Sequence, residues 1–328
     1  DGPNGTCAVS CVAGECQECL TGDKRCTACP DDATNCDTNL PQTCVAGVWT
    51  DYKKSCAQFC DGGSCVTTPS CGAPSTTVTD CDGESCCKSF LVPGGDYNRF
   101  DEDSDVPLPT TVAPFLLDKF EVTVGRFRQF VGAYAEILNT ALTDGAGMSN
   151  IVVGDPGWNS AFNAAMPATK DALVTSLKSC TDGPTTWSDE LTSNNELPIN
   201  CVSFNVAYAF CVWDRGRLPT EAEWQFAAGG GDQRRMYPWI APVSGDDITH
   251  DYANYSDAGE EASVPQPVGS TPLGNGRWGQ ADLAGNVREW MLDYFHLPYP
   301  TSWINCLDTT ADAERAQRGG ASSTLFDA

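Results

Sequence analysis

Fifteen of the nineteen cysteines lie within residues 1–87, and this cluster limits what the first part of the chain can fold into. The same segment has only 11 large apolar side chains, too few to offset by burial the conformational entropy lost on folding. Cross-links or bound metal must therefore stabilise it. The spacing is too irregular and dense for a zinc ribbon, and no histidine follows either Cys-x-x-Cys pair, as c-type haem attachment requires. We predict disulfides and an extracytoplasmic location, which means secreted, cell-surface or periplasmic.

The cysteines predicted to form disulfides are those of the cluster and two later ones. They are Cys7, Cys11, Cys16, Cys19, Cys26, Cys29, Cys36, Cys44, Cys56, Cys60, Cys65, Cys71, Cys81, Cys86, Cys87, Cys180 and Cys201. A repeat runs through the cluster, because the spacing Cys7-x3-Cys11-x4-Cys16 recurs as Cys56-x3-Cys60-x4-Cys65. We interpret residues 1–87 as a disulfide-rich repeat region that serves as a stalk. A small partner-binding module is the alternative.

The composition changes at residue 88 to that of an ordinary globular domain. Three helix starts can be located, with N-caps at Thr123, Ser203 and Thr220. Apolar residues recur at helical spacing after the first two, and Thr220 forms a capping box with Glu223. A strand end is predicted directly before the first helix, and the sequence beyond the third is rich in loop-forming residues. Residues 88–328 are therefore predicted to form an α+β domain with little regular structure.

The formal charge of −25 excludes two classes of partner. A nucleic acid or an anionic membrane surface would repel a chain of this charge. No stretch approaches the roughly 18 uninterrupted apolar residues of a membrane-spanning helix. We therefore expect no nucleic-acid partner and no transmembrane segment.

A series of short motifs keeps its order through the second part of the chain. The motifs are Glu121-Val-Thr123, Leu197-Pro-Ile-Asn-Cys-Val-Ser-Phe204, Ala207-Tyr-Ala-Phe-Cys-Val-Trp213, Gly216-Arg-Leu-Pro-Thr-Glu-Ala-Glu-Trp224, Tyr237-Pro-Trp239, Ala253-Asn254, Pro267-Val-Gly269, Leu283-Ala-Gly-Asn-Val-Arg-Glu-Trp290 and Arg318-Gly-Gly320. In this series the chain resembles the formylglycine-generating enzyme (sulfatase-modifying factor) domain. The resemblance implies a low-regularity fold related to C-type lectins, preceded here by the small disulfide-rich region, and it implies bound calcium.

The resemblance also implies which residues would bind the calcium ion. Asp282 and Glu289 match the side-chain ligands of the family's tight calcium loop, and Gly285 and Val287 match its carbonyl ligands. Calcium takes six to eight oxygen ligands and mixes carboxylates with backbone carbonyls. The residue types of this loop therefore agree with the cation that the resemblance implies.

A second calcium site of the family would use Asn254 and the carbonyl of Tyr255, together with a later carboxylate. The loop that follows is shorter here than in family enzymes. We assign the carboxylate to Glu260, and Asp257 and Glu261 remain alternatives.

The family's copper site is not expected in this chain. Family enzymes oxidise a substrate cysteine with copper held by two cysteines shortly after the Arg-Gly-Gly-Ser motif, since thiolates bind the soft Cu(I) ion. Thr324 stands where the first cysteine should be, Ala321 replaces the serine, and Arg288 replaces the usual tryptophan of Asn-x-Trp-Glu. His250 and His296 are too few for the iron-dependent branch of the family. We expect no copper, and we favour a protein without the family's oxidase activity.

Three functions remain open. The first is a catalytically inactive, calcium-stabilised domain on a disulfide-rich stalk, which binds a protein or glycan at the cell surface or copies of itself. The second is a structural subunit of an extracellular appendage, and the third is a family oxidase with altered chemistry. Family domains continue past the Arg-Gly-Gly motif, and the cysteine that matches Cys211 pairs with one in that tail. With an odd cysteine count, we expect the 328 residues to be a fragment or a processed form.

Overall fold

The computed structural model describes residues 67–323 except for several gaps, and it also describes short strands before residue 67. The gaps are 73–79, 82, 102–103, 181–182, 192, 241–248, 257–262, 296–302, 306 and 310–313. The chain divides into two compact units, Asp1–Thr67 and Thr68–Ala328. The boundary predicted after residue 87 lies inside the second unit.

The described part of the first unit consists of short strands. They are β1 (Ser10–Val12), β2 (Glu15–Gln17), β3 (Lys24–Cys26), β4 (Pro41–Val45), β5 (Val48–Asp51), β6 (Phe59–Asp61) and β7 (Ser64–Val66). Strands β3, β4 and β5 form an antiparallel sheet. The β1–β2 hairpin places Cys11 opposite Cys16, and the β6–β7 hairpin places Cys60 opposite Cys65. The two copies of the cysteine repeat thus form the same hairpin in the same register.

The second unit mixes helices with short strands. Its strands are β8 (Asp80–Cys81), β9 (Glu84–Ser85), β10 (Ser89–Val92), β11 (Gly95–Asp101), β12 (Ser104–Val112), β13 (Phe115–Asp118), β14 (Glu289–Tyr294), β15 (Trp303–Ile304) and β16 (Arg315–Arg318), and its helices are α1 (Val124–Thr140), α2 (Lys170–Leu177), α3 (Phe204–Trp213) and α4 (Glu221–Ala228). Antiparallel pairs join β8 with β9, β10 with β13 and β14 with β16. The remaining sheet has the order β11-β12-β15, with β15 parallel to β12. The predicted α+β class with low regularity is confirmed.

The three predicted helix starts are confirmed by their caps. The Thr123 side chain accepts a hydrogen bond from the Arg126 amide at the start of α1, and Ser203 caps α3 in the same manner. Thr220 and Glu223 form the complete capping box of α4. The strand end predicted before α1 is reduced to an isolated antiparallel bridge between Thr123 and Pro198.

The main apolar core lies between α1, α2 and α3. Phe127 of α1 stacks on Phe210 of α3 with ring centroids 5.4 Å apart, and Phe130 meets Trp213 edge to face at 5.6 Å. Strand β14 is attached to this core by a hydrogen bond from the Leu292 amide to the Pro219 carbonyl, of 2.9 Å. The core therefore fixes the start of α4 and the strand that follows the predicted calcium loop.

Disulfides cross-link the described part of the second unit at three places. They join Cys71 with Cys87, Cys81 with Cys86 and Cys180 with Cys201. Cys211 is a free thiol, and burial raises its pKa to about 12. The side chains of the eleven cysteines from Cys7 to Cys65 lie outside the described part of the structure, as does Cys306. Among the described residues, no helix has the length and apolar character needed to span a membrane.

Candidate metal centre

The predicted calcium loop is tightly wound by left-handed backbone conformations. Asp282 and Asn286 have φ values of 57°, and Gly285 has a φ of 87°. Asp and Asn tolerate this conformation better than other non-glycine residues because their short polar side chains bond locally. The loop ends where β14 begins, at Glu289. Local chemistry therefore explains both the turn and its residue types.

Gly285 brings the two predicted calcium motifs together. It forms a parallel bridge with Asn254, and the Asn286 amide donates to the Asn254 carbonyl at 2.8 Å. A Cβ at position 285 would lie 2.3 Å from that carbonyl oxygen, so the approach requires glycine. Residues of the first and second predicted sites are therefore neighbours.

An oxygen-lined recess lies beside Gly319, which has a φ of 92°. A Cβ on this glycine would be 3.6 Å from Glu289 Oε1, 3.6 Å from the Val287 carbonyl oxygen and 3.8 Å from the Leu283 carbonyl oxygen. Three oxygens thus lie in van der Waals range of the point where any other residue would place its Cβ. Val287 and Glu289 belong to the predicted ligand set, whereas the Leu283 carbonyl was missed.

The donor set suits a hard cation. One carboxylate and two carbonyls are the mixture that calcium prefers. In the part of the chain that the structure describes, no three side chains of His, Cys, Asp or Glu are grouped to hold a metal ion. A cation at this recess would therefore depend on backbone carbonyls for part of its coordination.

Asp282 is buried, and its carboxylate bonds to a neighbouring loop. Oδ2 accepts a hydrogen bond from the Gly269 amide at 2.6 Å, and Oδ1 accepts one from Thr271 Oγ1 at 3.4 Å. These contacts fix the carboxylate at the start of the predicted calcium loop. Its charge contributes to the raised pKa of Glu289.

Glu121 is a third carboxylate at this centre, and its role was missed by the sequence reasoning. Its Oε1 accepts from the Val287 amide at 3.0 Å and its Oε2 from Asn286 Nδ2 at 2.7 Å. Burial raises the pKa of Glu121 well above its ordinary value, and the charges of Asp282 and Glu289 add to the shift. The motif that contains Glu121 was recognised, but its partners lie at least 165 residues further along the chain.

Glu289 also has a perturbed acidity. Burial raises its pKa to about 7, a hydrogen bond of 3.0 Å from Trp224 Nε1 acts in the opposite direction, and the charge of Asp282 raises it further. Glu121, Asp282 and Glu289 thus place three carboxyl groups in a poorly solvated region, where burial favours the neutral form of Glu121 and Glu289. A bound cation would favour their ionised forms.

The second predicted site is described in part. Asn254 is buried, and its amide group donates to the Val264 carbonyl at 2.9 Å and to Asn286 Oδ1 at 3.1 Å. Its own Oδ1 accepts from Ser263 Oγ at 2.6 Å. Tyr255 is buried as well. Glu260 lies outside the described residues, as do both alternative carboxylates, so this site stays a prediction.

The Arg-Gly-Gly motif is anchored to buried charges. Arg318 lies opposite Glu289 in the β14–β16 pair and forms an ion pair with Glu221. The other oxygen of Glu221 is 2.9 Å from Arg99 Nη2. Thr324, which stands at the position of the first copper-binding cysteine, lies outside the described residues. The motif is thus firmly held up to the point where the family's copper ligands would follow.

Comparison with known proteins shows which family and which proteins this chain resembles. The family model described as "Sulfatase-modifying factor enzyme 1-like domain" matches residues 75–324. The formylglycine-generating enzyme of Thermomonospora curvata is 28% identical over 257 residues, which cover 71% of this chain and 79% of that protein. The inactive C-alpha-formylglycine-generating enzyme 2 of Bos taurus is 29% identical over 241 residues, covering 67% of this chain and 78% of that protein. Among solved structures, Treponema denticola variable protein 1 aligns over 73% of this chain and 84% of its own, with a TM-score of 0.43 and 17% identity.

Proposed function

Because the chain belongs to the sulfatase-modifying factor enzyme 1-like family, we propose that it is a calcium-stabilised, catalytically inactive member that acts in recognition or assembly at the cell surface. The loss of oxidase activity rests on the ligand chemistry of copper. Cu(I) binds thiolates, and the hydroxyl of Thr324 does not replace one. The similarity to a relative named as inactive agrees with this proposal.

A single contrast carries the proposal. Three oxygens of the kind that calcium binds lie beside Gly319, whereas the position of the first copper-binding cysteine is a threonine. The Glu289 carboxylate and the carbonyls of Val287 and Leu283 would hold the ion, with Asp282 at the start of the same loop. Calcium bound there supplies a structural divalent charge that neutralises the buried carboxylates.

The proposed extracytoplasmic location is supported by the disulfides, which persist in oxidising compartments. The strongly negative chain favours partners that are not polyanions. A protein or a glycan at the cell surface, or further copies of this chain, fits these properties.

A second candidate function is a structural subunit of an extracellular appendage. The observation that favours it is the repeated hairpin of the first unit, since stacked repeats are a usual way to build extended assemblies. Sedimentation in calcium buffer separates the two candidates. A monomer supports recognition, and a concentration-dependent series of larger species supports the structural role.

The lost activity is tested by incubating the protein with Cu(I) and a cysteine-containing sulfatase peptide. Aldehyde formation is measured by peptide mass spectrometry, with the Thermomonospora curvata enzyme as the positive control. We expect no aldehyde from this chain under conditions where the control converts the peptide. Turnover comparable to that of the control would show that the chain is an active oxidase.

A further inference from the structure

We propose that calcium binding at the Asp282–Glu289 loop and the ordering of the Arg318–Ser322 segment are one cooperative event. The inference rests on the calcium assignment proposed above and goes beyond it. It makes the positions of Gly319 to Ser322 dependent on the cation.

Two backbone hydrogen bonds join the loop to the segment, one in each direction. The Gly285 amide donates to the Gly319 carbonyl at 2.6 Å, and the Ser322 amide donates to the Asn286 carbonyl at 2.8 Å. Both loop residues have left-handed backbone conformations. If the loop relaxes to ordinary conformations, both bonds are lost together.

Gly319 forms one wall of the recess. Because it lacks a side chain, the segment approaches Glu289 Oε1 and the Val287 carbonyl closely while the space between them stays open. The same residue therefore closes the recess and receives a hydrogen bond from the loop. A cation that draws these oxygens together stabilises the arrangement in which the segment is docked.

Ser256 holds the segment through a separate hydrogen bond. Its hydroxyl donates to the Ser322 carbonyl at 2.7 Å and accepts from the Ser263 amide at 2.8 Å. Ser322 itself is only 3% exposed. The segment is thus docked by both its amide and its carbonyl group, and this tether touches none of the recess oxygens described above.

Thermodynamic linkage gives the functional consequence. If calcium favours the docked segment, any partner that binds the docked segment must bind more tightly when calcium is present. That partner in turn raises the affinity for calcium by the same factor. Recognition through the Arg318–Ser322 segment would therefore depend on calcium, although the partner need not touch the ion.

The test is amide hydrogen exchange of the full chain, measured by mass spectrometry in calcium and in chelator, with magnesium as a control for ionic strength. Peptides covering residues 283–290 report on the loop, and peptides covering 315–323 report on the segment. Some amides exchange only when the protein opens in its calcium-free form. At a calcium concentration about 100 times the dissociation constant, the exchange of these amides slows by about 100-fold. We expect this slowing in both peptides.

Variants separate coupling from local binding. Ser256→Ala removes the tether, and the loss of one hydrogen bond should weaken calcium binding by about 2- to 10-fold. Ser89→Ala is the matched control, because Ser89 is similarly buried and its hydroxyl donates at 2.5 Å to Asp118, which belongs to neither the loop nor the segment. The control should leave calcium affinity unchanged. Gly319→Ala places a methyl group in the recess and should abolish the calcium-dependent protection of both peptides.

The outcomes are distinguishable. Protection of the loop peptide without protection of the segment peptide would overturn the coupling and leave the calcium assignment in place. The coupling would also be overturned if Ser256→Ala bound calcium as tightly as the control variant does. An absence of any calcium effect in either peptide would overturn both the coupling and the proposed calcium site.

Discussion

Replacing Arg126 with methionine removes a buried cation and keeps the apolar stem of the side chain. The guanidinium is 2% exposed and lies 2.6 Å from Asp118 Oδ2 and 2.9 Å from Asp214 Oδ2. Its Nε donates to Ser70 Oγ at 3.0 Å, and Ser70 in turn donates to Asp214 through its amide and its hydroxyl. Burial alone would lower the pKa of Arg126, but the two carboxylates raise it above its ordinary value. The replacement therefore removes a full positive charge.

The magnitude follows from the charge that remains. Asp214 is 6% exposed and would keep only the hydrogen bonds from Ser70, since its cation is gone. Breaking a buried ion pair by removing one partner costs about 3–5 kcal/mol. We expect the free energy of unfolding of Arg126→Met to fall by about that amount, measured by urea denaturation with the disulfides intact.

The matched control is Lys178→Met, which removes the cation of an exposed ion pair with Asp189. Solvent screens such a pair, so the control should change stability little. A loss of stability in Arg126→Met no larger than that of the control would refute the reasoning that the buried cluster stabilises this part of the fold.

Three further perturbations test separate features. Thr220→Ala removes the cap of α4 and should lower the free energy of unfolding in urea by about 1 kcal/mol; an unchanged midpoint would contradict this role. Burial raises the pKa of Asp293 to about 7, so its contribution to stability is complete below about pH 4 and is lost as the pH rises through about 7. Thermal unfolding from pH 4 to 8 should show a smaller decline in Asp293→Asn than in the wild type, because Glu121 and Glu289 also have raised pKa values and remain in the variant; equal slopes would contradict it. Replacing both Cys180 and Cys201 with alanine removes a cross-link across a separation of 21 residues and should lower the free energy of unfolding by about 3 kcal/mol. A urea midpoint equal to that of the wild type would disprove that estimate.

Local signals made part of the fold predictable. The caps at Thr123, Ser203 and Thr220 depend on hydrogen bonds to amides only three residues away, so the sequence encodes them directly. The cysteine repeat likewise encodes its hairpin, because equal spacing places Cys11 and Cys60 at the same register position. The strand end before α1 could not be judged from local pattern, since its pairing partner is near Pro198.

The candidate metal centre was predictable only where a motif names the residue. Val287 and Glu289, which the family resemblance names, have oxygens beside Gly319, and their role as calcium ligands stays a prediction. The Leu283 carbonyl could not be foreseen, because the direction of a carbonyl is set by backbone conformation and not by side-chain identity. Glu121 and Gly319 were missed because their roles depend on contacts with residues far away in the chain. Recognising the motif therefore named two of the residues beside the recess and did not name the others.

The central claim is that this chain binds calcium and not copper. Elemental analysis of the native protein, after dialysis against buffer containing both ions at equal low concentration, tests it most directly. Gly319→Ala serves as the control that fills the recess. We predict bound calcium in the wild type, a loss of calcium in the variant, and no stoichiometric copper in either protein. Stoichiometric copper in the wild type, or calcium that binds equally well to Gly319→Ala, would contradict the account.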